Sequence, residues 1–247
     1  MTTENDMAEK TIAELLDQTT GEMVHVPLSA RLKAVADATR SQRPEFTATV
    51  DRMVARLEAN QVGQSAPDIG APMPDFILPD QDGTLVRLGE LIERGPVVVS
   101  FNRGHWCPYC KLNAEGLAEI APEIRRLGGE IVAISPETRQ YGAAFRDHAA
   151  APFPVLTDLD NGYALSLNLV FWVGDEKREA MKQIGVDIEP YNGNSTWTLP
   201  VPATFVVGRD GLVKARYIDP DYRRRMELDA IVDAVAAESG ERRLRSA

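Results

Sequence analysis

At 247 residues, 44% of them apolar, the chain has enough material for one large α/β domain with extensions. A net charge of −10 argues against a nucleic-acid partner, because phosphate backbones are bound by an excess of Lys and Arg. No apolar run approaches the ~20 residues of a membrane span. The polar start MTTENDMAEK also lacks the basic-then-apolar order of a secretory signal, so a cytoplasmic protein with thiols reduced at rest is expected.

Residues 1–61 read as an N-terminal helical extension and 62–240 as the main domain. Thr3 and Asp6 are placed to cap a first helix bearing Met7, Ile12, Leu15 and Leu16, ended by Thr19-Thr20-Gly21. A second helix is predicted from near Ser29, with Leu32, Val35 and Ala36 inward, stopping before Pro44. The third, Pro44 to Ala59, sets Phe46, Val50, Met53 and Leu57 at steps of four and three. Over two heptads such a seam reads first as a helix packed on its own domain and second as a homodimer contact. The Pro- and Gly-containing stretch 61–74 is the linker.

Strands follow at Phe76–Leu78 and Leu85–Val86 around Asp80-Gln81-Asp82-Gly83, then a short helix over 88–93 and the β-branched run Val97–Phe101. A helix from 111 to 127 carries Leu112, Leu117, Ile120 and Ile124, with a kink or break expected near Ala121 because Pro122 follows. Ile131–Ile134 and Pro154–Leu156 are further strands, with helices over 138–149 and around Tyr163, Ala164 and Leu165. The stretch 170–199 has no clear period and reads as an insertion, a short helix and then a loop over the site. Ala203–Val207 and Leu212–Ile218 form a hairpin around Gly208-Arg209-Asp210-Gly211, and a last helix is predicted from Arg223 to Ser239. Strands alternating with helices imply an α/β class with a central mixed sheet flanked by helices.

Both cysteines fall in FNRGHWCPYC, where a buried strand gives way to a helix. Pro108 suits the first helical position, so Cys107 stands at the N-cap, facing unpaired N–H groups and the positive end of the helix dipole. Arg103 adds charge, as does His105 if protonated, and a thiolate is favoured there. Cys110, one turn on, is within reach for a disulfide. Half of a zinc site and two buried structural thiols are the alternatives; no second C-x-x-C or H-x-x-x-H supplies the remaining zinc ligands. No metal and no cofactor is expected. The pair is the candidate redox centre.

The strand, the C-x-x-C and the later Leu199-Pro200-Val201-Pro202-Ala203-Thr204-Phe205 resemble the thioredoxin fold, which implies Pro202 as a cis residue facing the active cysteine. From Val62-Gly63-Gln64-Ser65-Ala66-Pro67 to the Gly208–Gly211 hairpin the chain is similar to peroxiredoxins of the alkyl hydroperoxide reductase/thiol-specific antioxidant superfamily. Ala133-Ile134-Ser135-Pro136 and Asp219-Pro220-Asp221-Tyr222 point to its peroxiredoxin-like, C-x-x-C subgroup. The resemblance implies that Cys107 reduces hydrogen peroxide or an organic hydroperoxide, that Cys110 resolves it, and that a thioredoxin- or glutaredoxin-type protein is the reductant. It makes Arg103 or Arg225 the site arginine, and Trp106, Gly104 and Pro202 the substrate-side residues. The family pattern P-x-x-x-T-x-x-C is departed from, since Ser100 and Gly104 hold the proline and threonine places. Cys107-Pro108-Tyr109-Cys110 also matches glutaredoxins, so thiol–disulfide exchange is the second expectation, and a redox sensor acting through the N-terminal helices the third.

Overall fold

A computed structural model describes residues 26–240. The expected first helix and His25 lie outside the described residues.

Helix α1 (Leu28–Gln42) and α2 (Pro44–Ala59) open the described chain, α2 with Pro44 in its first turn, where a missing N–H costs no hydrogen bond. Strands β1 (Ile77–Pro79) and β2 (Leu85–Arg87) form a small antiparallel hairpin. After α3 (Leu88–Arg94) come β3 (Val97–Phe101), α4 (Pro108–Arg126), β4 (Glu130–Ser135), α5 (Arg139–His148), β5 (Val155–Thr157) and α6 (Gly162–Ser166). The stretch without a clear period resolves into β6 (Val170–Trp172), α7 (Asp175–Gln183), α8 (Glu189–Asn192) and β7 (Thr198–Pro200). β8 (Ala203–Val207), β9 (Val213–Ile218) and α9 (Leu228–Ser239) complete the fold.

The main sheet has the order β5-β4-β3-β8-β9. β3 runs parallel to β4 and β4 to β5, whereas β8 is antiparallel to both β3 and β9. This is the expected mixed sheet. β3 occupies its centre, and Val97, Val98 and Val99 are each 0% exposed, worth about 1.5–3 kcal/mol apiece against leaving them in water. A strand buried on both faces ends in a fixed place, and so does whatever chemistry sits at its end.

Helices α4 and α9 pack together, and α1 lies against α4, where Arg31 grips Glu119 at 2.6 Å. α2 lies against α7, and Arg56 donates to the carbonyls of Trp172 and Val173. Val50, Met53 and Leu57 of the α2 seam belong to the same buried cluster as the central strands. Within the described chain that seam is an internal contact.

Three expectations are corrected. α4 runs unbroken through Pro122, which lies on the exposed side of the helix, where water can take up the carbonyl that loses its N–H partner. α9 begins at Leu228 rather than Arg223, because Asp221 and Asp219 hold residues 221–224 in a turn of side-chain and backbone hydrogen bonds. No peptide bond in the described residues is cis, so the bond before Pro202 is trans. The chain enters β8 extended from β7, with Val201 N–H donating to Leu169 O, and trans is the lower-energy isomer by ~0.5–1 kcal/mol.

Candidate active site

The site is built where β3 ends and α4 begins. Asn102 continues the sheet, its N–H donating to Ile134 O at 2.8 Å, and residues 103–106 turn away into the helix. Cys107 is the N-cap residue in extended conformation, and its carbonyl accepts the N–H groups of Cys110 and Lys111, both at 3.0 Å. Both cysteines are free thiols with 0% exposure.

Each sulfur has its own arginine. Arg103 Nη1 lies 3.6 Å from Cys107 Sγ, while Arg225 Nη2 lies 3.4 Å from Cys110 Sγ. The backbone N–H of Arg103 also points at Cys110 Sγ, at 3.3 Å. Burial pushes the Cys107 thiol up, but hydrogen bonding with Cys110 and the charges of Arg103 and Arg225 outweigh it and bring it down to about 5. Burial and the neighbouring thiolate push Cys110 the other way, well above the ordinary thiol range. The pair is therefore divided at neutral pH into one thiolate and one thiol.

The arginines are themselves fixed. Arg103, 2% exposed, stacks with its Cζ 3.8 Å from the Tyr222 ring centroid and 4.8 Å from that of Trp106. Burial pushes the Tyr222 phenol up to about 12. Arg225 donates to the carbonyls of Tyr222 and Arg224. Arg223 is tied to Asp221 and Asp51, and Arg224 sits exposed beside Asp219.

Against Cys107 lies a cavity of about 60 Å³, set against the ~10–15 Å³ that one water needs. Ala36, Thr39, Phe46 and Val50 of α1 and α2 line one side, and Lys177 and Met181 of α7 another. Arg103, Trp106, Cys107, Tyr109 and Tyr222 line the cavity too, so α1, α2 and the 170–199 stretch all wall the thiolate. Three residues of that lining carry a buried donor with no hydrogen-bond partner among the described residues: Arg103 Nε, Lys177 Nζ and Trp106 Nε1, the last on the Gly104 side.

Gly104 and Pro202 are not part of that lining. Gly104 has φ +142°, and a Cβ there would come within 2.6 Å of Glu137 and of Trp106 Nε1. Glu137, 0% exposed, fills the space that a side chain at 104 would need, accepting from the His105 N–H at 2.7 Å and facing His105 Nδ1 at 2.6 Å. His105 is thus engaged by Glu137 and stacked on Tyr141, with ring centroids 5.0 Å apart, rather than turned to the sulfur. Pro202 precedes Ala203, which pairs with Phe101, and so adjoins the start of the 102–106 loop. Among the described residues no group of three or more His, Cys, Asp or Glu is placed to hold a metal.

The model of the AhpC/TSA family matches residues 69–216. The chain belongs to that family. It is 30% identical over 149 residues to the putative peroxiredoxin MT2597 of Mycobacterium tuberculosis, covering 60% of this chain and 83% of the relative. It is also 27% identical over 150 residues to the thiol:disulfide interchange protein DsbE of Pseudomonas aeruginosa, covering 61% of this chain. The match spans 66% of the length of that relative, just under two thirds. Peroxidoxin BcpB from Mycobacterium tuberculosis superposes with a TM-score of 0.54 at 23% identity, over 69% of this chain and 97% of that one, a likeness of fold. The AhpC/TSA assignment agrees with the thioredoxin-like architecture expected from the strand, the C-x-x-C and the closing hairpin.

Sequence reasoning missed three residues of this AhpC/TSA site. Tyr222 reads in the sequence only as part of a motif, and Glu137 carries no signal of its own there. Lys177 left a readable signal: it stands four residues before Met181 and seven before Ile184, on the apolar stripe of an otherwise charged helix.

Proposed function

We propose that the protein is a thiol-dependent peroxide reductase in which Cys107 is the nucleophile and Cys110 the resolving thiol. The observation that carries this reading is a thiolate brought down to about 5 against a small cavity lined by residues that carry unpartnered buried donors, Arg103 and Lys177 among them. A peroxide has acceptors on both oxygens and fits such a lining; donors fixed around a breaking O–O bond lower the barrier as charge develops. Cys107 S⁻ attacks the terminal oxygen of R–O–O–H, forming S–O and breaking O–O. The sulfur loses two electrons, becoming Cys107 S–OH, and the leaving R–O⁻ takes a proton to become R–OH. Cys110 then attacks the sulfenic sulfur, the S–S bond forms, and the hydroxyl leaves as water with the Cys110 proton. Arg225 and the Arg103 N–H stabilise the developing Cys110 thiolate. A dithiol protein of thioredoxin or glutaredoxin type reopens the disulfide by exchange.

The similarity to a disulfide interchange protein and the C-P-Y-C sequence favour one second reading, in which Cys107 attacks a disulfide instead. Stopped-flow mixing of the reduced protein with hydrogen peroxide and with tert-butyl hydroperoxide separates the two. Oxidation is expected to be at least a thousandfold faster than for a simple thiol of the same pKa, and Cys110→Ser is expected to accumulate sulfenic or sulfinic acid at Cys107. A rate no faster than a simple thiol, with rapid reduction of a glutathione mixed disulfide, would select exchange.

A further inference from the structure

The proposed chemistry assigns no proton donor to the leaving oxygen, and one of the donors at the cavity suits that task. Lys177 is 2% exposed, and its ammonium nitrogen has no hydrogen-bond partner among the described residues. It is held 3.2 Å from the centroid of the Phe46 ring, on the wall of the cavity that Cys107 shares. An amine is rarely buried without a partner, because stripping water from the charged form is costly. A salt bridge does not account for it: α2 presents Phe46, Thr47 and Val50 to the cavity, none of them charged. The charged and titratable groups facing it from the other elements are Arg103 from the loop, Cys107 and Tyr109 from α4, and Tyr222 and Arg223 from the C-terminal segment. Of these the Cys107 thiolate is the anion, and it draws the lysine proton in while Arg103 and Arg223 repel it. The position at 104, meanwhile, offers no side-chain donor, since Glu137 occupies the room for one.

Resting on the peroxidase reading, we propose that Lys177 is a catalytic residue that donates the proton to the leaving oxygen of the peroxide. The step balances as Cys107 S⁻ + ROOH + Lys177 NH₃⁺ → Cys107 SOH + ROH + Lys177 NH₂. The sulfur is oxidised by two electrons, the O–O bond is reduced, and the lysine is reprotonated from solvent before the next turnover. The geometry suits proton donation, because a cation over an aromatic face is retained without a fixed hydrogen bond and is free to bond the oxygen that acquires charge. Burial, then Arg103, bring the lysine down to about 6 against the partial support of Cys107. Its acid form therefore coexists with the Cys107 thiolate over a narrow acidic range.

The test is the pH dependence, from 4.5 to 8, of oxidation by hydrogen peroxide in the wild type, Lys177→Met and Lys177→Arg, followed by stopped flow. Iodoacetamide alkylation of Cys107 is measured in parallel. The wild-type rate is expected to rise as Cys107 ionises and then fall above pH 6. Lys177→Met is expected to lose the descending limb and at least tenfold in rate at pH 5.5, with alkylation changed less than twofold. Lys177→Arg, which stays charged, is expected to lose the descending limb while keeping more of the rate. Identical peroxide profiles for wild type and Lys177→Met would overturn the proposal, as would equal losses in both reactions, which would place the lysine's effect on the thiolate. A wild type no faster than a simple thiol would overturn the peroxidase reading and this role together.

Discussion

At the scale of single residues, the site divides two identical side chains three positions apart into different chemical species. Helix position explains part of this, because Cys107 is the N-cap and Cys110 lies inside the first turn. The hydrogen bond between the two sulfurs and the arginines do the rest, and the contributions of the arginines are separable. Arg103 meets Cys107, and Arg225 meets Cys110, reaching Cys107 only through its field. Arg103→Gln is therefore expected to raise the pH midpoint of Cys107 alkylation by more than a unit, and Arg225→Gln by less. Alkylation by iodoacetamide against pH in a Cys110→Ser background measures both. A larger shift from Arg225→Gln would mean that long-range charge outweighs the direct contact, contrary to the falloff expected even at modest effective dielectric.

At the scale of elements, the thiolate is walled by helices that the strand–helix–strand core does not need for its own sheet. Phe46 of α2 lines the cavity and supplies the face on which Lys177 rests. Phe46→Ala is expected to cost about 2 kcal/mol, less than a fully buried Phe because the ring is only partly buried. It is also expected to speed alkylation of Cys107 by the bulky N-ethylmaleimide several-fold more than by iodoacetamide; equal acceleration of both reagents would mean that the ring does not gate access. The elements legible in the sequence were those whose pattern has one cause. β3 is a β-branched run closed by an aromatic, and α2 announces itself by Pro44 and its seam. The hairpin of β8 and β9 is marked by its turn residues, and the cysteines by C-x-x-C. Elements governed by two causes were legible only in part. α7 was expected only as a short helix somewhere in 170–199, because its charged outer face masks the period of the short buried stripe that carries Lys177. Pro122 has the chemistry of a helix breaker, and only its exposure spares the helix. The arginines after Tyr222 look like a helix start, but Asp219 and Asp221 capture them in a turn. Pairings of this kind, like Glu137 against Gly104, are set by the fold and leave no periodic trace in the sequence.

At the scale of the whole molecule, two buried ionisable groups at one cavity make the fold sensitive to pH, and both act in the same direction. Cys107 is held at about 5, far below the ~8.5 of an unfolded thiol, so its stabilising ionisation is fully present above pH 8.5 and is lost as pH falls toward 5. Lys177 is held at about 6 against ~10.4 unfolded. Between those values the unfolded chain binds a proton that the native chain refuses, so native stability again rises with pH. From pH 6 to 8.5 each group contributes an increase on the order of 2 kcal/mol, discounted from the nominal shifts because the two charges are coupled. Urea denaturation of the reduced protein across that range is expected to show the rise. Lys177→Met is expected to be more stable than the wild type throughout, by ~3 kcal/mol at pH 6.5, with the gap narrowing toward pH 8.5. Cys107→Ser is expected to flatten the profile from the other end, losing stability mainly at high pH. Subtracting each variant's profile from that of the wild type isolates the two groups from the buried carboxylates Glu137 and Asp158, whose burial raises them and acts with the opposite sign. A Lys177→Met protein less stable than the wild type at pH 6.5 would show that the amine is held by a favourable interaction, and the lysine would then be a structural cation rather than a strained one kept for the reaction at Cys107.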